Sequence, residues 1–317
     1  MYTGFSSRRP SDNDQSSIVN RQLSIHYAPA KLNVRLKVTG RRPDGDHELV
    51  SIMVPVGLYD RLDLQITSEK RINISCRGFS APSDEENLAY RSARAFFDKT
   101  GMNHGLSIRL TKNIPVSAGL GGGSSDAACV LKSLNRNYAF PLTPEELAEL
   151  AVGLGADVPF FLVERPCIAR GIGEILEPIE NWPELWYIII MPPIQVSTSR
   201  VYGSLNLSPA SSELELTNEA YEDINKYLDK KPLVIGRMLE NDLERITAAR
   251  FPVIERIKNL LTEAGADGAL MSGSGPSVFG VFQSRDKALQ VEKALAGSKL
   301  GDMFLVQGLA GSPASNI

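Results

Sequence analysis

Pro115-Val116-Ser117-Ala118-Gly119-Leu120-Gly121-Gly122-Gly123-Ser124-Ser125 places four glycines within five positions and two serines directly behind them. The stretch lies between a strand-like run, Leu106–Leu110, and a segment with helical periodicity, where Ala127, Val130, Leu131 and Leu134 recur at i, i+3, i+4 and i+7. Glycines let the backbone adopt positive φ and leave N–H groups open to close approach, and a helix start adds the positive end of its dipole. Ser124 and Ser125 can cap the helix or bond phosphate oxygens. No Gly-Lys-Ser/Thr follows, so this is not a Walker A loop, and the G-x-G-x-x-G spacing of dinucleotide folds is absent. The chemistry reads as a phosphate cradle of unspecified type. A flexible turn into a capped helix is the other reading.

Upstream, Leu32, Val34, Leu36 and Val38 alternate with Lys31, Asn33, Arg35 and Lys37, the pattern of a half-buried strand with a solvated face. A Pro43-Asp-Gly45 turn leads to a second strand over Leu49–Val56, and Leu62–Ile66 and Ile72–Cys76 read as further strands. A helix is expected over Asn87–Asp98. Downstream, Thr143, Pro144 and Glu146 spell a capping box before the stripe Leu147, Leu150, Ala151 and Leu154. Beyond residues 178–186 come a strand (Tyr187–Ile190), a polar linker (Ser208–Asn218), helices around Glu219–Lys230 and Val253–Ala264, and strands at Ser277–Phe282 and Met303–Gln307. The expected division is a disordered tail (1–22), an N-terminal domain (23–184) and a C-terminal domain (185–317).

The 317 residues suit two domains, and 43% hydrophobic with 22% charged residues suits packed cores. A net charge of −3 argues against a general nucleic-acid binder. Three scattered cysteines, Cys76, Cys129 and Cys167, fit free thiols in a reducing cytoplasm rather than a disulfide framework. No apolar run approaches the roughly 20 residues of a membrane helix, and the polar first 22 residues lack the apolar core of a signal peptide. No metal site is expected from three isolated histidines. Oligomeric state is not legible.

Single residues are ambiguous. Asp157, in Leu154-Gly-Ala-Asp-Val-Pro-Phe-Phe-Leu-Val163, is either an ordinary turn residue or a general base in an apolar setting beside a cation. Taken singly, Lys31, Asn33 and His47 each read as solvated surface more readily than as ligands.

Three marks in order change that reading: Ala28-Pro-Ala-Lys-Leu-Asn33, Pro115–Ser125 and Met271-Ser-Gly-Ser-Gly-Pro-Ser277. Together they resemble the GHMP kinase superfamily. The run from Ala30 to His47, Leu154–Phe160 and Gly171-Ile-Gly-Glu174 resemble the branch acting on a cytidyl-linked polyol. The resemblance implies an α+β, two-domain GHMP kinase fold, with an N-terminal domain like ribosomal protein S5 domain 2 and a ferredoxin-like C-terminal domain. It implies ATP as co-substrate with Mg²⁺, and phosphorylation of the 2-hydroxyl of 4-diphosphocytidyl-2-C-methyl-D-erythritol in the non-mevalonate isoprenoid route. Lys31 and Asp157 match the catalytic pair, and Pro115–Ser125, with Lys112 and Asn87, the ATP contacts. Asn33, His47 and Tyr202 match contacts to the cytidine part. The family has an aromatic residue just before the histidine of Asp-Gly-x-His, where this chain has Asp46, so one face of a cytosine clamp is absent. A GHMP kinase for another alcohol, such as homoserine or mevalonate, and a non-catalytic nucleotide-binding regulator are the alternatives.

Overall fold

The computed structural model describes residues 23–205, 213–229 and 234–310; the expected tail at 1–22 lies outside them. The chain runs β1 (Ser24–Arg41), β2 (His47–Thr67), β3 (Ile72–Gly78), α1 (Leu88–Thr100), β4 (Gly105–Lys112) and α2 (Gly122–Asn137). Then follow α3 (Pro144–Leu154), α4 (Phe160–Val163), β5 (Cys167–Gly171), β6 (Ile175–Pro178), β7 (Trp186–Met191) and α5 (Thr198–Gly203). The last part comprises α6 (Glu213–Leu228), α7 (Ile235–Met238), β8 (Glu240–Asn241), α8 (Glu244–Arg250), α9 (Val253–Glu263), β9 (Gly268–Met271), β10 (Val278–Phe282), α10 (Arg285–Leu295) and β11 (Asp302–Gln307).

Two sheets organise these elements, giving the expected two-part α+β architecture. The first runs β3-β4-β2-β1-β8, with β5 paired to β2 and β6 to β5; the second is β11-β7-β10-β9, antiparallel throughout. The two strands expected over Leu49–Val56 and Leu62–Ile66 are one strand, β2. Its first half pairs with β5 (Leu49–Met53) and its second with β4 (Arg61–Thr67), so one continuous strand serves two neighbours. The register of β1 against β2 shifts at Pro29/Ala30, Asn33/Arg35 and Val38/Gly40. Such irregularities bend a strand and re-aim its side chains.

Helices α1, α2 and α3 cover one face of the first sheet, with Phe96, Leu131, Ala151 and Phe160 in that core. A second core joins the two sheets: Leu32, Val34 and Val54 meet Ile189, Leu270 and Phe279. Burial on both sides overturns the half-solvated reading of β1. Lys31, Asn33 and Arg35 are all nearly inaccessible. Arg35 ion-pairs with Asp223 of α6 at 2.5 Å and Glu240 of β8 at 2.6 Å, donates to the Met238 carbonyl at 3.0 Å, and lies 5.3 Å from the Tyr227 ring centroid. That polar residue therefore ties the C-terminal half back onto the first sheet, where β8 pairs in parallel with β1.

The linker expected over Ser208–Asn218 is helical from Glu213. Its sparse buried face, Thr217, Ala220 and Ile224, sits at helical spacing among polar residues that hide it. Helix α10 escaped the sequence reading although Ser284 caps it. The capping box of α3 forms as expected, Thr143 accepting from Glu146 N and Glu146 from Thr143 N. Among the described residues no helix is long and apolar enough to cross a membrane.

Leu32 is completely buried between the sheets. Leu32→Ala should lower unfolding stability by about 3 kcal/mol, read as a drop in the urea midpoint at unchanged slope.

Candidate active site

A cleft of about 1300 Å³ opens beside β1 and the glycine loop. The loop leaves β4 at Lys112 and α2 starts within it, at Gly122, so Gly122–Ser125 form the helix's first turn. The first N–H groups of a helix have no intrahelical acceptor, and here no side chain caps them. Gly119 (φ 78°) and Gly121 (φ 70°) are left-handed. A Cβ on Gly119 would lie 2.2 Å from the Ser272 carbonyl oxygen, and one on Gly121 would meet the Phe161 ring at 2.8 Å. Only glycine allows this approach.

Not all of Pro115–Ser125 faces the cleft. The side chain of Leu120 packs into the core between the sheets, while its carbonyl accepts the Lys31 backbone N–H at 2.9 Å. Neither Leu120 nor Ser125 lines the cleft; the loop's other residues do.

The structure brings Lys31 and Asp157 together. Lys31 Nζ lies 3.4 Å from Asp157 Oδ2. Although Asp157 stands in an apolar stretch, its side chain is 37% exposed and the lysine's 5%. Val158, Phe160 and Phe161 carry the apolar anchoring, and Asp157, between α3 and α4, is left at the cleft wall. Lys31 Nζ also donates to Asn33 Oδ1 at 2.5 Å. Asn33 Nδ2 donates to Ser51 Oγ at 2.9 Å, and Ser51 donates to the Arg35 carbonyl at 2.7 Å. An ammonium with so little water needs such partners, because an isolated buried charge costs several kcal/mol or more.

The third motif, Met271–Ser277, braces the other two. Ser272 Oγ accepts the Asn33 backbone N–H at 3.2 Å and donates to the Gly119 carbonyl at 3.0 Å, while Ser277 N donates to the Ala118 carbonyl at 3.3 Å.

Among the residues expected at the substrate, His47 and Tyr202 meet with ring centroids 5.0 Å apart. Both line the cleft, as does Asn33. Burial holds His47 below its ordinary value, helped by Arg41 and opposed by Asp46. Asp46 is exposed on the same wall.

Lys112 and Asn87 border the cleft but are occupied locally. Asn87 Oδ1 caps α1 by accepting from Ala89 N, and Asn87 Nδ2 donates to the Pro82 carbonyl at 2.7 Å. Lys112 is buried against two carboxylates, Asp60 and Asp126, the latter at 2.8 Å. Asp60 also accepts from Asn113 N at 2.6 Å and Ile114 N at 2.9 Å. Residues just before and just after the loop are thereby stapled together. The sequence reading missed Asp60 and Asp126. Asp126 had a signal, since it stands at i−4 and i−8 from buried Val130 and Leu134. Asp60 had none.

Domain descriptions match twice: "GHMP kinases N terminal domain" over residues 87–165 and "GHMP kinases C terminal" over 227–300. The chain belongs to the GHMP kinases. It is 44% identical over 285 residues to the 4-diphosphocytidyl-2-C-methyl-D-erythritol kinase of Syntrophotalea carbinolica, covering 90% of this chain and 99% of that one. The namesake from Geobacter metallireducens is 44% identical over 279 residues, covering 88% and 95%. The crystal structure of a 4-(cytidine 5'-diphospho)-2C-methyl-D-erythritol kinase superposes with a TM-score of 0.72 at 34% identity, covering 91% of this chain and 100% of that one. A homoserine kinase from Cytophaga hutchinsonii gives 0.70 at 22% identity, covering 90% and 95%, a likeness of fold alone.

The Lys112 triad has a pH signature. One lysine with two ionised carboxylates leaves a buried negative charge uncompensated. Burial pushes Asp126 up to about 8 although Lys112 pulls it down, and Asp60 adds to the rise. From the ordinary value of 3.8 up to about 8, the folded chain keeps a proton that the unfolded chain has lost. Its stability contribution should therefore fall with rising pH across that window and level off above it. Asp126→Asn should flatten that component, measured as urea midpoints across the window.

Proposed function

We propose that this GHMP kinase transfers the γ-phosphoryl group of ATP to the 2-hydroxyl of 4-diphosphocytidyl-2-C-methyl-D-erythritol, yielding ADP and the 2-phosphate in the non-mevalonate route to isoprenoid precursors. The observation that carries this reading is the Lys31–Asp157 pair, 3.4 Å apart beside the glycine loop, in a chain 44% identical over nine-tenths of its length to kinases of that name.

Phosphoryl transfer asks a protein mainly for positioning and electrostatic stabilisation. Asp157 orients the hydroxyl and takes its proton as the oxygen forms a bond to the γ-phosphorus and the bond to the ADP oxygen breaks. Lys31, fixed by Asn33, holds the Asp157 carboxylate and offsets charge on the transferred group. The open amides at the start of α2 bind phosphate oxygens. Among the described residues no three His, Cys, Asp or Glu side chains gather into a metal cage. Mg²⁺ would arrive on the nucleotide and would neutralise charge on its phosphates. The His47–Tyr202 pair offers ring surface to the cytosine, and the exposed Asp46 beside it offers none. The free thiols of Cys76, Cys129 and Cys167 support a place in the cytoplasm.

ADP release from the purified protein should depend on the cytidyl substrate and not on homoserine or mevalonate. Activity with either of those alone would assign another acceptor, and ATP binding without transfer to any of the three would point to a regulator. Asp157→Asn should lower kcat by about 10²–10⁴-fold with ATP binding retained; near-normal turnover would remove Asp157 from the mechanism. Asp46→Tyr should lower the KM for the cytidyl substrate about fivefold or more through base stacking, with kcat little changed.

A further inference from the structure

A second pocket, of about 740 Å³, adjoins the tip of the glycine loop. Val116 and Ser117 of the loop tip, with Val196 and Ser197 of the β7–α5 connection, line both this pocket and the cleft, so these two segments form the partition between them. The pocket's remaining walls come from the segment after β3, the rest of the β7–α5 connection with α5, and α8. Charge separates the two hollows. The cleft mixes both signs, Asp46, Glu86 and Asp157 with Lys31, Arg41 and Lys112, whereas the second pocket carries arginine and no Asp or Glu.

Two arginines do line it, Arg200 of α5 and Arg250 of α8, and neither makes an ion pair with a described residue. The Arg250 guanidinium lies 5.6 Å from the Phe251 ring centroid. A guanidinium stacked on a ring keeps its in-plane N–H donors for another partner. Two cations on one hollow with no counter-charge raise its potential and favour an anion, and arginine matches phosphate through paired N–H donors. Phe79, Ile194, Ile246 and Phe251 make much of the remaining wall apolar, which favours a ligand with a hydrocarbon body.

We propose that this pocket binds an organic phosphate ester, its phosphate on Arg200 and Arg250 and its aromatic or aliphatic body against Phe79 and Phe251. The site is distinct from the cleft that holds the reacting groups.

Isothermal calorimetry with phenyl phosphate tests this on the full chain, with the cleft kept saturated by a non-hydrolysable ATP analogue. Inorganic phosphate and phenol serve as half-probes. Saturable binding of phenyl phosphate, tighter than either half-probe, is expected. Arg200→Gln and Arg250→Gln should each weaken it roughly tenfold. Arg245→Gln, an exposed arginine of α8 outside the pocket, should leave it unchanged. Absence of saturable binding, or equal weakening by Arg245→Gln, would overturn the proposal. Inorganic phosphate binding as tightly would overturn the apolar part, and phenol binding as tightly would overturn the role of the arginines. The readout is heat, so the result is independent of turnover and of the acceptor assignment.

Discussion

Lys31 brings an ammonium group into a place almost closed to water, and much of the surrounding structure follows from the need to compensate it. Neither the strand nor the cleft alone could do so. The Asn33 oxygen approaches from two residues along β1, and Asn33 is held by Ser51 across the β1–β2 pair. Asp157 approaches from the turn between α3 and α4, outside the sheet. The register shift between Asn33 and Arg35 lies at this spot. An asymmetry results. The cation is fixed and desolvated, while its carboxylate partner keeps an open side from which a hydroxyl can be reached.

The same logic of buried charge governs the glycine loop. Glycine-rich backbone is entropically costly to order, yet a phosphate cradle has to be formed before its ligand arrives if it is to stabilise charge without reorganising. Lys112 and Asp126 join the loop's two ends, Asp60 holds the residues before Pro115, and Ser272 fastens its middle to β1. Fixed ends and a fixed middle leave Val116 and Ser117 exposed at the loop's tip. That part lies between the cleft and the arginine-lined pocket.

The legibility of this site in the sequence followed the range of the interactions. Helix α3 was readable to its cap because Thr143, Pro144 and Glu146 act on one another within a single turn. The stripe Ala127, Val130, Leu131 and Leu134 was readable because a helix face repeats, and all four are buried. Lys31 and Asn33 were misread as solvated on pattern alone, because alternation reports two faces and not what covers the second. The helical start of α6 was hidden for a related reason: its one buried face is short and partly polar. Asp60 gave no signal, since its partners lie more than fifty positions away.

By itself the sequence determined the glycine-rich turn between β4 and α2, the order of most strands and helices, and, through three motifs in order, the family. Those are local properties: backbone freedom at glycine, capping, and periodicity. Only the tertiary structure decided that Lys31 is buried and Asp157 open, that Lys112 staples the loop through two carboxylates, and that Met271–Ser277 is a brace. Burial and charge compensation belong to the neighbours a residue acquires on folding, and these come from segments up to 239 positions apart. No reading of spacing along the chain contains them.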